Sequence, residues 1–389
     1  MILINSKIDC SPADTNKKIV FVIANALDQD YRTPKEVRAL ESVGYDVTIL
    51  SWQREKAKDQ LSIISDNMNF NEIRINLEAP SGKGVLFYLP VWWIIEFKWL
   101  MKLDYNLIHV INFHSIIPAL FVGKLTKKKV VYEIMDTYED SIKIPNLVRK
   151  ILIYIDRIFM SLASAVIIVD DGQNEEFNGI PNKKVAIIYD PPMDDMKVNI
   201  KKNKSVFSLF YAGVLNKARK LNLDKVIKSI QTIDNVILFI AGYGDQIEEI
   251  KYWCKIMPEK VHYLGKISSD RAYLESMSAN ILFELRDPSI NQHKYICGSK
   301  FLRAMSCEKP ILVSAGTSAA NIVKNANCGI VVDPTKIDEI SKAILLLKNN
   351  PDKYAEMSKN SRHAFETQFS WKIMETRLLS LYASLFNRS

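Results

Sequence analysis

Short, uninterrupted apolar runs recur along this chain, separated by stretches of helical periodicity, and that alternation narrows the folds open to it. After Lys18, the segment Lys18–Ala24 (KIVFVIA) is apolar without a break. A strand buried on both faces reads this way, whereas a strand with one wet face alternates. A helical stretch follows at Thr33–Val43 with Gly44 at its C-cap, then a second strand at Asp46–Ser51. Leu107–Ile111, Val130–Ile134, Val166–Val169 and Val185–Tyr189 read as further strands. The rhythm breaks at Asp190-Pro191-Pro192 and the polar segment after it, a plausible linker. It restarts with strands predicted at Phe207–Ala212, Val236–Ala241, Val261–Leu264, Asn280–Phe283, Ile311–Ser314 and Gly329–Val332, and helices at Leu221–Ile233, Lys336–Asn349 and Pro351–Phe369. Ser370 is a good N-cap for a last helix, which either packs locally or crosses back to the first half.

Two such series predict an α/β protein of two Rossmann-like, doubly wound parallel-sheet domains, at 1–190 and 191–370, with a final helix over 371–389. A length of 389 residues is too great for one hydrophobic core. Ligands in such folds bind at the carboxyl ends of the strands, so a cleft between two facing domains is the expected site. The five cysteines (Cys10, Cys254, Cys297, Cys307 and Cys328) are odd in number and show no C-x-x-C spacing. That argues against a disulfide framework or a zinc site, and fits a reducing compartment. The first residues have no long apolar stretch of the signal-peptide kind, so a cytoplasmic location is expected. The net charge of +8 is uneven: residues 1–190 carry 23 Lys+Arg against 24 Asp+Glu, a balance of −1, and residues 191–389 carry 29 against 20, a balance of +9. Without aromatic residues interleaved among the cations, this basic excess points to a phosphate-bearing small ligand rather than to nucleic acid.

Four segments of the basic half carry candidate chemistry. Phe210–Ile230 places Tyr211, Gly213, Leu215 and Arg219 between a strand and a helix. Phe239–Asp245 ends a strand in Gly242-Tyr243-Gly244. Leu264-Gly265-Lys266-Ile267 follows the next strand, and Glu284–Ser314 contains Asn291, Gly298-Ser299-Lys300-Phe301, Met305 and Lys309-Pro310-Ile311. Gly298-Ser299-Lys300 should open a helix whose N-terminal amides and dipole suit a diphosphate, with Lys300 adding a full positive charge. Together these segments resemble glycosyltransferase family 4, the retaining nucleotide-sugar transferases of GT-B architecture, over nearly the whole chain. The resemblance implies a donor that is a nucleotide-diphosphate sugar, with uridine diphosphate the commonest carrier, and neither a cofactor nor a metal. It implies donor contacts from Gly213, Gly242, Gly244, Leu264, Gly265, Ile267, Tyr295, Gly298, Ser299 and Arg303. It makes Arg219 and Lys300 the cations that stabilise the departing diphosphate.

The match departs from the family where two glutamates usually stand, which are here Tyr295 and Arg303. Arg303 has no acceptor for a ribose hydroxyl but can pair with phosphate. Val214 also stands where an arginine is common, with Lys217 and Lys220 nearby as substitutes. In the first half, Asp30 and Arg32 follow the first strand, His114 ends the segment HVINFH, and Asp136 lies in VVYEIMDTYED. The resemblance makes Asp136 a polar catalytic candidate and Asp30, Arg32 and His114 acceptor contacts facing the cleft; a salt-linked loop anchor is the other reading of Asp30 and Arg32. Gly84–Lys102 (GVLFYLPVWWIIEFKWLMK) is too short to span a bilayer, and its aromatic residues beside lysine suit a membrane interface, a buried helix or the wall of an acceptor pocket. The −1 balance of this half argues against an electrostatic component. The expected activity is transfer of a sugar to a lipid-linked or growing surface glycan at the cytoplasmic face of a membrane. A degenerate binding or scaffold partner and a nucleotide-sugar epimerase are the alternatives.

Overall fold

A computed structural model describes residues 17–27, 30–54, 70–80, 82–135, 146–193 and 206–387. The chain divides into two units, one of Met1–Val169, Phe177–Ile188 and Met374–Ser389, the other of Asp170–Glu176 and Tyr189–Ile373.

The first unit holds a seven-stranded parallel sheet of order β3-β2-β1-β4-β5-β6-β7. Its strands are β1 (Lys18–Ile23), β2 (Asp46–Gln53), β3 (Asn71–Asn76), β4 (Leu107–Ile111), β5 (Lys129–Ile134), β6 (Ala165–Ile168) and β7 (Val185–Ile187). Helix α1 (Thr33–Ser42) joins β1 to β2, and Gly44, just past its end, adopts φ +93°, a turn that glycine makes without strain. Helices α2 (Leu89–Lys102), α3 (Phe113–Thr126) and α4 (Asn146–Leu162) follow. They send Trp92, Ile116, Ala119, Val122 and Met160 into one apolar core with Val20, Val110, Tyr132 and Val166 of the sheet. In that core Trp92 stacks on Trp52, ring centroids 5.2 Å apart, and donates through Nε1 to Ser115 Oγ at 2.9 Å. The final helix, Trp371–Phe386, brings Tyr382 to His109 of β4.

The second unit holds a six-stranded parallel sheet of order β10-β9-β8-β11-β12-β13. These are β8 (Phe207–Val214), β9 (Val236–Tyr243), β10 (Val261–Tyr263), β11 (Ile281–Glu284), β12 (Ile311–Ser314) and β13 (Gly329–Val332). Both sheets are thus parallel and doubly wound, as the apolar runs predict. The helix predicted over Leu221–Ile233 is shorter, Leu223–Ser229, because Asn222 takes a left-handed conformation that cannot continue a helix. The helix predicted over Pro351–Phe369 is α-helical only to Ala364 and closes in a π-turn, Phe365–Phe369.

Candidate active site

In the second sheet the chain runs from β8 through β9 to β10, then returns to place β11 on the other side of β8. The carboxyl ends of β8 and β11 flank this switch point, where ligands of doubly wound sheets bind. Gly213 lies at the end of β8, and a Cβ on it would collide with Lys300 Cε and stand 2.8 Å from Lys300 Nζ. The missing side chain is therefore the space that the lysine occupies. Lys300 Nζ also sits over the Tyr211 ring, 5.5 Å from its centroid. Arg303, one turn on, points Nη2 at the Ala212 carbonyl oxygen, 3.5 Å away.

Glu284 and Arg286, which sequence reasoning left unassigned, hold this arrangement in place. The buried Glu284 carboxylate accepts from Gly298 N at 3.0 Å, from Phe301 N at 3.2 Å, and from Arg286 Nε at 2.7 Å. Both lie in the segment Glu284–Ser314, but their pairing appears only in three dimensions. Helix Ser299–Ser306 does open at Gly298, as predicted, yet two of its first amides already donate to Glu284. Its anion-binding capacity therefore rests on the amides of Ser299 and Lys300, not on the whole first turn.

Lys300 does not carry the full charge expected of it. Its side chain is half-buried, seated over Gly213 and the Tyr211 ring. Burial, then the positive charges of Arg286, Arg303 and Arg219, push its pKa down to about 7, against the opposing pull of Glu284. Arg219 sits exposed on the short turn Lys217–Arg219. Of the two substitutes for the missing arginine, Lys220 is paired with Asp287 at 2.9 Å. Arg219, Arg286, Lys300 and Arg303 thus gather near the end of β8 with the Glu284 carboxylate among them, an anion-attracting arrangement.

The other donor candidates divide. Gly242 and Gly244 adopt φ +143° and +148°. A Cβ on Gly242 would strike the Gly213 carbonyl oxygen, and one on Gly244 the Leu215 carbonyl oxygen and Asn216 Oδ1. These glycines let the loops after β9 and β8 lie against each other. Leu264, Gly265 and Ile267 run beside the end of β9, with Gly242 N donating to Gly265 O at 2.9 Å. Gly265, at φ +74°, has open space where a Cβ would stand. Tyr295 lies apart from the lysine: its carbonyl packs against Gly172 and its hydroxyl accepts from Lys294 Nζ at 2.8 Å.

In the first unit, burial of Arg32 does not fit the expectation that it contacts the acceptor. Its side chain is 1% exposed and its Nε contacts Glu133 at 2.5 Å and Glu36 at 3.0 Å, while Nη1 donates to Ile188 O at 2.7 Å. It is the salt-linked anchor instead. Asp30 receives the amides of Arg32 and Thr33 at 2.8 and 3.1 Å and so caps α1, and burial raises its pKa. His109 completes the buried network, 2.9 Å from Glu133 and 2.6 Å from the Tyr382 hydroxyl. Glu36, His109 and Glu133 group their ligand atoms within 4.8 Å of one another, but the Arg32 cation lies against both carboxylates, so the donor set does not favour a metal. Burial and the neighbouring Glu133 charge push Glu36 well above the usual carboxylate range; burial acts on Glu133 too, but Arg32 and His109 hold it ionised.

His114 lies at the switch point between β1 and β4, where burial and then the charge of Arg54 lower its pKa to about 4, so it is neutral at physiological pH. Arg54, directly after β2, also donates to Asn25 and is a second residue that sequence reasoning missed. Asn112, at φ +61°, accepts from Met135 N at 2.8 Å. Asp136 lies outside the described residues.

Two parallel sheets of this order define the GT-B architecture. The chain superimposes on sucrose-phosphate synthase of Thermosynechococcus elongatus with a TM-score of 0.72 at 16% identity, covering 95% of this chain and 99% of that one. HepE of Anabaena, solved in complex with UDP and glucose, gives 0.69 at 13% identity over 95% and 100%. Residues 193–364 match the family described as Glycosyl transferases group 1. An uncharacterized glycosyltransferase of Methanocaldococcus jannaschii is 23% identical over 228 residues, 54% of each chain. A GDP-mannose-dependent monoacylated alpha-(1-6)-phosphatidylinositol monomannoside mannosyltransferase of Corynebacterium glutamicum is 23% identical over 167 residues, 41% of this chain and 43% of that one. The chain thus spans about half or less of the length of these curated relatives.

Proposed function

We propose that the chain is a retaining transferase of glycosyltransferase family 4. It moves a sugar from a uridine-diphosphate donor to a lipid-linked or growing surface glycan, and it works at the cytoplasmic face of a membrane. One observation carries this reading: Lys300 seated over Gly213 at the switch point, among Arg219, Arg286 and Arg303. Such an array stabilises the negative charge that builds on a diphosphate as its bond to the sugar breaks. The donor diphosphate lies over Gly213, between the Lys300 ammonium and the amides of Ser299 and Lys300. The nucleoside lies toward Gly265, where open space adjoins the backbone. Arg303 takes phosphate rather than ribose, since it is a donor only. In the first unit, Asp136 is the catalytic candidate and His114 an acceptor contact, whereas buried Arg32 is not. The lipid-linked acceptor is supported by the name of the Corynebacterium relative, and the uridine carrier by the bound ligand of the Anabaena structure.

The test is a thermal-shift screen with UDP, GDP and their sugar conjugates, repeated on Lys300→Ala and Arg219→Ala, because a ligand of the folded state raises its melting temperature by mass action. A shift with UDP that both variants lose supports the reading, whereas a shift with GDP alone overturns the uridine carrier. Absence of any shift favours a non-catalytic binding partner. A sugar isomer in place of a glycoside as product identifies an epimerase.

A further inference from the structure

Among the described residues two histidines are almost wholly buried, His109 at 0% exposure and His293 at 4%. Both ring nitrogens of His109 are bound, one to Tyr382 and one to Glu133. His293 has a single bond: its Nδ1 lies 3.1 Å from the Asp287 carbonyl oxygen. A carbonyl only accepts, so Nδ1 carries the proton and donates it. Burial, and then the positive charge of Arg286, lower the pKa of the ring to about 4, so no second proton is taken up at neutral pH. Nε2 therefore keeps a bare lone pair, and no described residue donates to it. A polar atom on so enclosed a side chain is ordinarily paired, and here the chain itself supplies no partner.

His293 stands on the short helix Asn291–Tyr295, which follows β11. The charges of Arg286, Glu284 and Arg219 act on it, so it belongs to the cluster around Lys300. Its neighbour Lys294 is already engaged, with the Tyr295 hydroxyl at 2.8 Å and Glu175 at 3.6 Å. The cations of the cluster suit phosphate, but a lone pair does not: it repels phosphate oxygens and needs a hydroxyl or an N–H. The strand order decides which part of a donor supplies one. The sheet runs β10-β9-β8-β11. A diphosphate over Gly213 at the end of β8, with its nucleoside toward Gly265 after β10, sends the sugar to the β11 side, where His293 stands.

We infer that Nε2 of His293 accepts a hydrogen bond from a hydroxyl of the transferred sugar, which makes His293 a residue that selects the donor. The inference rests on the transferase reading and fills a gap in it, since Tyr295 and Arg303 offer no carboxylate to a sugar hydroxyl. A sugar without that hydroxyl leaves the lone pair desolvated and unpaired, which is how such a site rejects it. The experiment titrates the full chain calorimetrically with UDP, GDP, UDP-glucose, UDP-galactose, UDP-N-acetylglucosamine and GDP-mannose. The tightest conjugate and its parent diphosphate are then titrated into His293→Phe, which fills the space without an acceptor, and His293→Gln, which returns one through Oε1. His293→Phe should weaken the conjugate about tenfold and the diphosphate less than about twofold, and His293→Gln should recover most of the loss. Monodeoxy analogues of the sugar test the same bond on unaltered protein. One of them should bind the wild type about tenfold more weakly and lose nothing further in His293→Phe. Additive losses for every analogue overturn the inference, as does conjugate affinity unchanged in His293→Phe. Equal weakening of conjugate and diphosphate puts the hydroxyl on the ribose and overturns it too. A wild-type chain that binds a diphosphate but no conjugate overturns this inference alone, whereas one that binds no nucleotide overturns the transferase reading with it.

Discussion

Replacing Lys300 by arginine should remove a pH dependence that the wild-type chain shows in binding UDP. With a pKa of about 7, the free lysine loses its charge as pH rises through neutrality. A bound diphosphate needs the ammonium and holds it charged, so binding above neutral pH must first take up a proton. About half of the lysines are charged at pH 7 and about 1% at pH 9, which weakens the apparent affinity about fiftyfold over that interval. The terminal phosphate of the nucleotide ionises near pH 6 and is already a dianion there, so it adds little slope. The groups around the ammonium add none: Arg219, Arg286 and Arg303 stay charged, and His293, lowered to about 4 by burial and then Arg286, stays neutral. Calorimetric titration at pH 7, 8 and 9 reads the effect directly. Lys300→Arg should give a flat profile, since guanidinium keeps its proton. A flat wild-type profile, or an unchanged slope in Lys300→Arg, would refute the reasoning. The sign for stability is the opposite of the usual carboxylate case. A lysine whose folded pKa lies below its unfolded value costs stability in its charged form, in full below pH 7 and fading as pH rises toward 10.5. Lys300→Met should therefore stabilise the ligand-free chain at pH 6 by about 1–2 kcal/mol, allowing for its partial exposure.

Glu284→Ala should destabilise the chain by about 3–5 kcal/mol in urea denaturation, because it leaves Arg286 and two helix amides without their acceptor, while Glu284→Gln should cost about 1–2 kcal/mol. Gly213→Ala should displace the end of the Lys300 side chain, weakening UDP binding at least about tenfold with less than about 1 kcal/mol lost in stability, since a flexible side chain can move aside. Arg32→Met should cost about 3–5 kcal/mol by leaving the ionised Glu133 partly uncompensated in the core, and its effect on UDP affinity should be negligible in the same titration.

The strands were legible because a parallel sheet buried on both faces demands apolar runs, and KIVFVI or ILVS permits little else. β3 escaped notice because it is an edge strand, and its sequence NEIRIN has only two apolar residues, Ile73 and Ile75. The candidate site was legible where chemistry follows the local chain, as in Gly298-Ser299-Lys300 opening a helix. It was not legible where partners come from far away. Arg32 meets Glu133 across 101 residues, and nothing near Arg32 in sequence announces that carboxylate. The same holds for Lys300, whose proton affinity is lowered first by burial and then by charges that include Arg286 and Arg219 from other loops.

The first unit begins the chain, yet residues Met374–Ser389 complete it. Tyr382 covers His109, and Lys129 reaches the Leu385 carbonyl oxygen, so the α1 side of the sheet stays open until that last helix arrives. Translation at about 5–20 residues per second puts about 10–40 s between Ile188 and Met374. Only at the end of that interval does the second unit have every residue it needs, and the first still does not. A ribosome stalled before Met374 would therefore carry a finished sheet behind an unfinished one, and the polar cluster of Arg32, Glu36 and Glu133 would remain wet. The first unit is thus discontinuous in sequence, closed by a helix that follows the whole of the second unit.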